Sequence, residues 1–332
     1  MKKIDIVYLW VDGSDKKWAE QKEKWYKTIT GKTPVYQSAA SIERFRDNGE
    51  LLYSFRSVAE NLPWINHIYL VTGFNQVPKW LNTKHKKITI IPHEQIFPPD
   101  ALPTFNATAI EMCISNIKNL SEHFLLFNDD VFINKKLKPS FFYDNHDRAL
   151  VYYNKHRNYQ NNIEKWKQSV DEYTQTLILS SQQIEKTFGK TFYIGRPSHG
   201  VDPYFKSSII KCMNHPTLKP LFEAQIRNKF RTNNEFQRWI FNIYDYINGR
   251  AVLKHCHPYK SKHTFDFIYN TIHLWSSRHS PLFCENVSAA KNSIKHSAIF
   301  CINDSAKSGP EILKHNQEFL STRFPNKCEF EK

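Results

Sequence analysis

The chain has 332 residues, enough for one large α/β domain or two smaller ones around a sizeable core. Its formal charge of +14 favours anionic partners, and its nine glycines form neither G-x-G-x-x-G nor G-x-x-x-x-G-K-[ST], which excludes the two usual glycine-rich phosphate loops. No nucleic-acid-binding motif accompanies the charge. The basic runs at 15–27, 84–87 and 134–138 therefore read as solvated faces, and no nucleic-acid partner is expected.

Residues 4–11, IDIVYLWV, are β-branched and aromatic and end at Asp12-Gly13-Ser14-Asp15, a strand followed by a turn. This apolar run is too short for a signal-peptide core or a membrane span, and no membrane-length stretch occurs elsewhere, so a soluble or peripherally attached protein is expected. Charged sequence to about residue 29 looks helical. Residues 50–61 place Leu51, Leu52, Phe55 and Val58 on one helical face, and Pro63 stops the helix. Strands are predicted at 67–72, 88–92 and 123–129, with a helix over 105–120 whose Ile110, Cys113, Ile114 and Ile117 are in phase. The β-α-β alternation argues for a mostly parallel sheet covered by helices.

Beyond residue 153 the pattern is less regular. Residues 154–194 read as a polar helical insertion or cap with Trp166, Val170, Tyr173, Leu177 and Ile184 as packing residues, 196–210 as a loop, and 216–248 as helical. Six cysteines stand alone, without any C-x-x-C pair, which suits a reducing compartment. The triplet His255-Cys256-His257 lacks a second ligand pair at zinc spacing.

Chemistry concentrates at FLLFNDDVFI (124–133), where an apolar strand runs into Asp129 and Asp130. Asn-Asp-Asp between apolar runs is compatible with a tight turn. It is equally a pair of hard oxygen ligands at a strand's carboxyl end, where open α/β sheets bind their ligands. The segment IFCI followed by Asn303-Asp304 repeats the pattern.

Several segments together resemble a known family. IDIVYLWVDGSD (4–15), RFRDNGELLYSFRSVAENLPWINHIYLVT (44–72), VPKWLN (77–82), LPTFNATAIE (102–111) and FLLFNDDVFI are similar to the first two blocks of the Stealth family of hexose-1-phosphate transferases, the capsular polysaccharide phosphotransferases related to the animal GlcNAc-1-phosphotransferase. SHGVDPYF (198–205) with FRTNNEFQRWIFNIY (230–244) resembles the third block, and FCIND (300–304) the fourth. The chain departs from the pattern at TGFNQVP (72–78) and has fewer prolines after the third-block His.

The resemblance implies a GT-A-like α/β fold and transfer of a sugar-1-phosphate from a UDP-sugar to a hydroxyl of a glycan acceptor, leaving a phosphodiester and UMP. It implies Mg²⁺ or Mn²⁺ held by Asp130 with Asp129, and by Asn303 and Asp304. His199 is the implied general base and Arg231 a phosphate-binding group, while Asp12, Arg44, Arg46 and Asp47 are implied donor contacts. Asn106 is a further donor candidate or else a helix cap. On this reading residues 1–153 form the nucleotide-sugar-binding core, 154–195 an insertion or cap, and 196–332 complete the same core. A cytoplasmic location is expected, with the positive charge aiding contact with the inner membrane face or export machinery. The rival readings are a metal-dependent glycosyltransferase that releases UDP and a non-catalytic basic glycan-binding protein.

Overall fold

The structure is a computed structural model that describes residues 2–31, 44–155, 172–190, 195–198, 200–255, 281–284, 294–295, 297–304 and 309–332. The chain opens with β1 (Ile4–Leu9), α1 (Lys16–Thr30), α2 (Glu50–Asn61), β2 (Ile68–Thr72) and β3 (Ile88–Pro92). Next come α3 (Ala107–Cys113), β4 (His123–Asn128), β5 (Val131–Ile133) and β6 (Ala149–Lys155). Then follow α4 (Glu172–Phe188), β7 (Gly195–Pro197), β8 (Asp202–Phe205), α5 (Lys206–Met213), α6 (Lys219–Gln225), α7 (Trp239–Ile247) and β9 (Ala251–His255). The last elements are β10 (Pro281–Cys284), β11 (Ile299–Ile302) and α8 (Pro310–Arg323).

The expected α/β architecture is present. The main sheet has the order β3-β2-β1-β4-β8, with β3, β2, β1 and β4 parallel and β8 antiparallel to β4. Its inner strands read as continuous apolar runs because helices cover both faces, and Ile6, Val7, Leu70, Leu125 and Phe127 are fully buried. The four predicted strands lie here. The fifth, β8, falls in sequence read as a loop, since Pro203 sits in its middle. An edge strand tolerates that proline, because its outward amide has no ladder partner to lose.

Two small sheets flank the main one. In β10-β11-β5, β11 runs antiparallel to β5 and parallel to β10; in β7-β6-β9, β6 is parallel to β9. The three-residue β5 is gripped on its other side by α2, whose Ser54 Oγ donates to the Val131 carbonyl (2.5 Å) and whose Asn61 Nδ2 donates to that of Ile133 (2.8 Å). Ser57 Oγ accepts from the Ile133 amide at 3.0 Å. Positions 54, 57 and 61 share one helical face, so side chains substitute for a missing neighbour strand.

Two helical expectations shorten. Residues 105–120 give α3 followed by a 3₁₀ turn over Ile114–Asn116. Residues 216–248 give α6 and α7, and the segment between them is held by Gln225, whose side chain donates to the Phe236 carbonyl (2.9 Å) and accepts from its amide (2.8 Å). Of the expected insertion, α4 buries Leu177 and Ile184, while Trp166 and Val170 lie outside the described residues. Cys113, Cys212, Cys301 and Cys328 are thiols and not disulfides, and Cys256 and His257 lie outside the described residues. Among the described residues, no helix is long and apolar enough to cross a membrane.

Gly13 joins two of the sequence blocks. Its amide donates to the Phe45 carbonyl at 2.7 Å, and a Cβ there would stand 2.3 Å from that same oxygen. Only glycine permits this approach. Gly13→Ala should therefore displace the 44–47 segment and cost about 1–3 kcal/mol of stability, read by denaturant unfolding. An unchanged midpoint would show that the contact is dispensable.

Candidate active site at the carboxyl edge of the sheet

β4 ends at Asn128, and the chain turns through Asp129 and Asp130 into β5. The Asp130 carbonyl accepts from the Ile302 amide (3.0 Å) and its Oδ2 from the Cys301 thiol (3.2 Å). Its Oδ1 is buried without a hydrogen-bond partner. Asp129 is half-buried. Burial first, and then the charges of Asp130, Glu50 and Asp47, push its pKa well above the carboxylate range.

The β11–β5 pairing brings the distant acid here. Because Ile302 bonds Asp130, Asp304 follows within about 7 Å of chain, two residues at strand rise. Arg46 grips Asp304 with both arms, Nε to Oδ2 at 2.7 Å and Nη2 to Oδ1 at 2.8 Å, and Asn48 Nδ2 adds a bond of 3.2 Å. Asn303 Nδ2 donates to the Asp304 carbonyl at 2.9 Å, which shapes the turn. Asp47 Oδ1 accepts from the Gly49 amide, and burial with the nearby Asp12 charge raises its pKa. Burial and the Asp47 charge outweigh the bonds from Asn48 and lift Glu50 to about 7.

Asp12 is held from two sides. Its Oδ1 accepts from the Ser14 amide (2.8 Å) and hydroxyl (2.6 Å), while Gln76 pairs with its backbone amide and carbonyl, both at 2.9 Å. Gln76 therefore positions this acid. The sequence offered a signal only as the departure at 72–78.

A second group forms around Glu235. Asn106 is fully buried: its Oδ1 caps α3 through the Thr108 amide (3.1 Å) and its Nδ2 donates to Glu235 (2.9 Å). Both polar atoms are thus committed to the fold, and the capping alternative describes this residue. Arg231 acts electrostatically on Glu235, favouring the carboxylate that burial disfavours. The two groups share an aromatic base. Phe45 packs on Trp18 (4.9 Å between centroids), Trp18 on Phe105 (5.5 Å), and Phe105 stacks on Phe230 (5.2 Å). Each of these phenylalanines immediately precedes a candidate: Arg46, Asn106 and Arg231. Arg44 is exposed at the edge of this segment, and His199 lies outside the described residues.

Arg238 was not anticipated. It is largely buried against three segments, with Nε to Asp202 (2.8 Å), Nη1 to Glu111 (2.7 Å) and Nη1 to Asn128 Oδ1 (3.1 Å). Burial opposes its charge, but the Glu111 and Asp202 carboxylates outweigh it. Asn128 precedes the acid pair, so this network fixes the end of β4 from below. Its only sequence trace is an Arg directly before the apolar stretch Trp239-Ile240-Phe241.

The donor set fits a hard divalent cation in one respect and not in another. Adjacent carboxylates with an orphaned buried oxygen suit Mg²⁺ or Mn²⁺. Among the described residues, however, no three His, Cys, Asp or Glu side chains form a ready metal cage. That combination matches an ion held by one or two carboxylates and completed by substrate phosphates and water.

The fold and site define an α/β protein with an acidic centre at the carboxyl ends of parallel strands. Residues 2–26 match Stealth protein CR1, conserved region 1, and residues 44–151 match Stealth protein CR2, conserved region 2. The capsular polysaccharide phosphotransferase of Neisseria meningitidis serogroup B is 34% identical over 88% of this chain and 79% of that protein. Capsular polysaccharide phosphotransferase fcs1 of Haemophilus influenzae is 35% identical over 75% of this chain and 67% of that protein. Exopolysaccharide phosphotransferase cps2G of Lactiplantibacillus plantarum is 48% identical over 42% of this chain, and the match spans 39% of that longer protein. The chain belongs to the Stealth family of transferases. Among solved structures it is similar to galactosyltransferase LgtC in complex with donor and acceptor sugar analogs (TM-score 0.45, 11% identity, 97% of this chain and 95% of that chain). A second is the WbbM bifunctional glycosyltransferase apo structure (TM-score 0.47, 9% identity, 98% of this chain and 50% of that chain).

The acid cluster sets a pH dependence. Asp47, Glu50 and Asp129 all have raised pKa values, so the folded chain binds more protons than the unfolded one between the ordinary carboxylate range and about pH 7. Their stabilisation is fully present below that range and is lost as pH rises through it. In chelator, Tm should fall from pH 5 to pH 8, and added Mn²⁺ should restore it at pH 8. A flat profile indifferent to cation would contradict the clustering. Arg238→Met should cost about 3–5 kcal/mol, because it strands two buried carboxylates. A loss below 1 kcal/mol in chemical denaturation would mean that the network is solvated.

Proposed function

We propose that this chain transfers a hexose-1-phosphate, with N-acetylhexosamine-1-phosphate the first candidate, from a UDP-sugar to a hydroxyl of a glycan acceptor. The products are a phosphodiester and UMP, and the setting is capsular or other cell-surface polysaccharide synthesis. The observation that carries the reading is the Asp129–Asp130 turn, whose buried Asp130 Oδ1 has no partner and whose negative charge is gathered beside Asp304. The names of the related phosphotransferases support it.

Asp129 and Asp130 would hold the cation, together with Asp304 and Asn303. A bound Mg²⁺ or Mn²⁺ supplies neutralisation of the diphosphate. Asp12, Arg44 and Asp47 lie at the strand ends that would receive the donor. Arg46, already within the cluster, orients Asp304 and would exchange toward phosphate. Arg231 would offer its planar fork to a phosphate oxygen. His199, assigned by resemblance alone, would take the proton from the acceptor hydroxyl. We place donor binding in 1–153 and completion of the same centre in 196–332, with 154–195 as a cap. A cytoplasmic protein, peripherally attached through its basic surface, fits this chemistry; release from membranes by salt would support the attachment.

The test is the released nucleotide. With a UDP-sugar and an oligosaccharide acceptor, UMP and a new phosphodiester are expected, and UDP with a new glycosidic bond would establish the rival glycosyl transfer. Asp130→Ala and Asp304→Ala should abolish transfer. His199→Ala should lower turnover by ~10²–10⁴-fold while donor still binds. Turnover at the wild-type rate in that variant would remove His199 from the chemistry.

A further inference from the structure

Beyond the ends of β2 and β3 lies a cavity of about 320 Å³, lined by Gln21, Phe74, His93, Glu94, Leu102 and Pro103. It is separate from the acid pair. In the order β3-β2-β1-β4, β2 and β3 stand two and three positions from β4, hence roughly 10–14 Å at about 4.8 Å per step. A nucleoside diphosphate laid across the strand ends spans such a gap.

The loop that shapes the cavity is specially held. Phe74 and Asn75 both adopt left-handed backbone angles (φ 55° and 57°), which is costly for residues with a Cβ. Gln76, next in sequence, is fastened to the Asp12 backbone by two bonds of 2.9 Å. The strained loop thus ties the cavity to the end of β1. Gly73 lets the imidazole of His93 close in, since a Cβ there would stand 3.1 Å from its Cε1 and 3.2 Å from its Nδ1. Burial lowers the His93 pKa to about 4, so the ring is neutral and offers one donor and one acceptor. The Gln21 amide also both donates and accepts.

We propose that this cavity receives the base of the donor nucleotide, Phe74 stacking on its face and Gln21 and His93 reading its edge, while the diphosphate extends to the Asp129–Asp130 turn. The inference rests on the nucleotide-sugar reading above. Among the described residues the lining contains Glu94 and no Lys or Arg, so it suits the uncharged end of a nucleotide and not the phosphates. An acceptor hydroxyl must lie beside the reacting phosphorus, which the acid pair places elsewhere.

The test compares UMP with pyrophosphate, which has no base, by calorimetry on the full chain with Mn²⁺ present. Phe74→Ala should weaken UMP at least about fivefold, the lower bound for one lost base–aromatic stack, and leave pyrophosphate unchanged. Phe74→Leu, which keeps bulk without a flat face, should do the same, and Phe74→Tyr should restore UMP binding. Equal losses for both ligands, no loss for either, or weakened oligosaccharide binding with UMP affinity intact would each overturn the assignment. A wild type that binds UMP through Phe74 yet releases UDP in transfer would overturn the phosphotransfer reading and leave this site standing.

Discussion

Carboxyl groups crowded together out of water, with few cations beside them among the described residues, are the constraint on which this molecule turns. Asp129 is desolvated beside Asp130, and Glu50 and Asp47 add their fields to it. Isolated buried carboxylates are expensive, and proteins keep them only where something else completes them. Arg46 reaches into the cluster, but both of its arms go to Asp304. Arg238 is spent on Glu111 and Asp202, one layer below. Among the described residues, the carboxyl edge of the sheet therefore carries an electrostatic deficit, which a divalent ion and a diphosphate would resolve together.

The rest of the architecture holds that edge rigid. Serines and an asparagine on α2 act as a substitute strand for β5, so the acid pair is anchored on both sides of its turn. The chain of rings from Phe45 through Trp18 and Phe105 to Phe230 joins segments far apart in sequence, and each of its three phenylalanines sits one residue before a polar candidate. A functional group set on a packed aromatic is positioned by the core beneath it, which is how a precise site is built on loops. Gly13 and Gln76 serve the same end by pinning the β1 turn to its two neighbouring loops.

What the sequence disclosed follows from which forces are local. Strands β1 to β4 were legible because buried parallel strands are written as unbroken apolar runs. The acid pair was legible as strand-then-carboxylate, and resemblance across dispersed blocks linked it to Asp304. Strand β8 was hidden by Pro203, a residue permitted only because the strand falls at an edge, which is a property of the whole sheet. The unwinding between α6 and α7 depends on bonds from Gln225 to Phe236, eleven positions away, and no periodicity encodes them. Arg238 was missed for a similar reason: its importance lies in partners at 111, 128 and 202. Asn106 shows the opposite case, where a polar residue in a matched block proves to cap a helix.

Cation binding tests most directly whether the charge deficit is the organising feature. Mn²⁺ titrated into the full chain with UDP, followed by electron paramagnetic resonance, should show one tightly bound ion per chain. Asp130→Ala should lose that ion while remaining folded by circular dichroism. Undiminished Mn²⁺ binding in Asp130→Ala would contradict the account, because the buried carboxylate pair would then have no cation to hold.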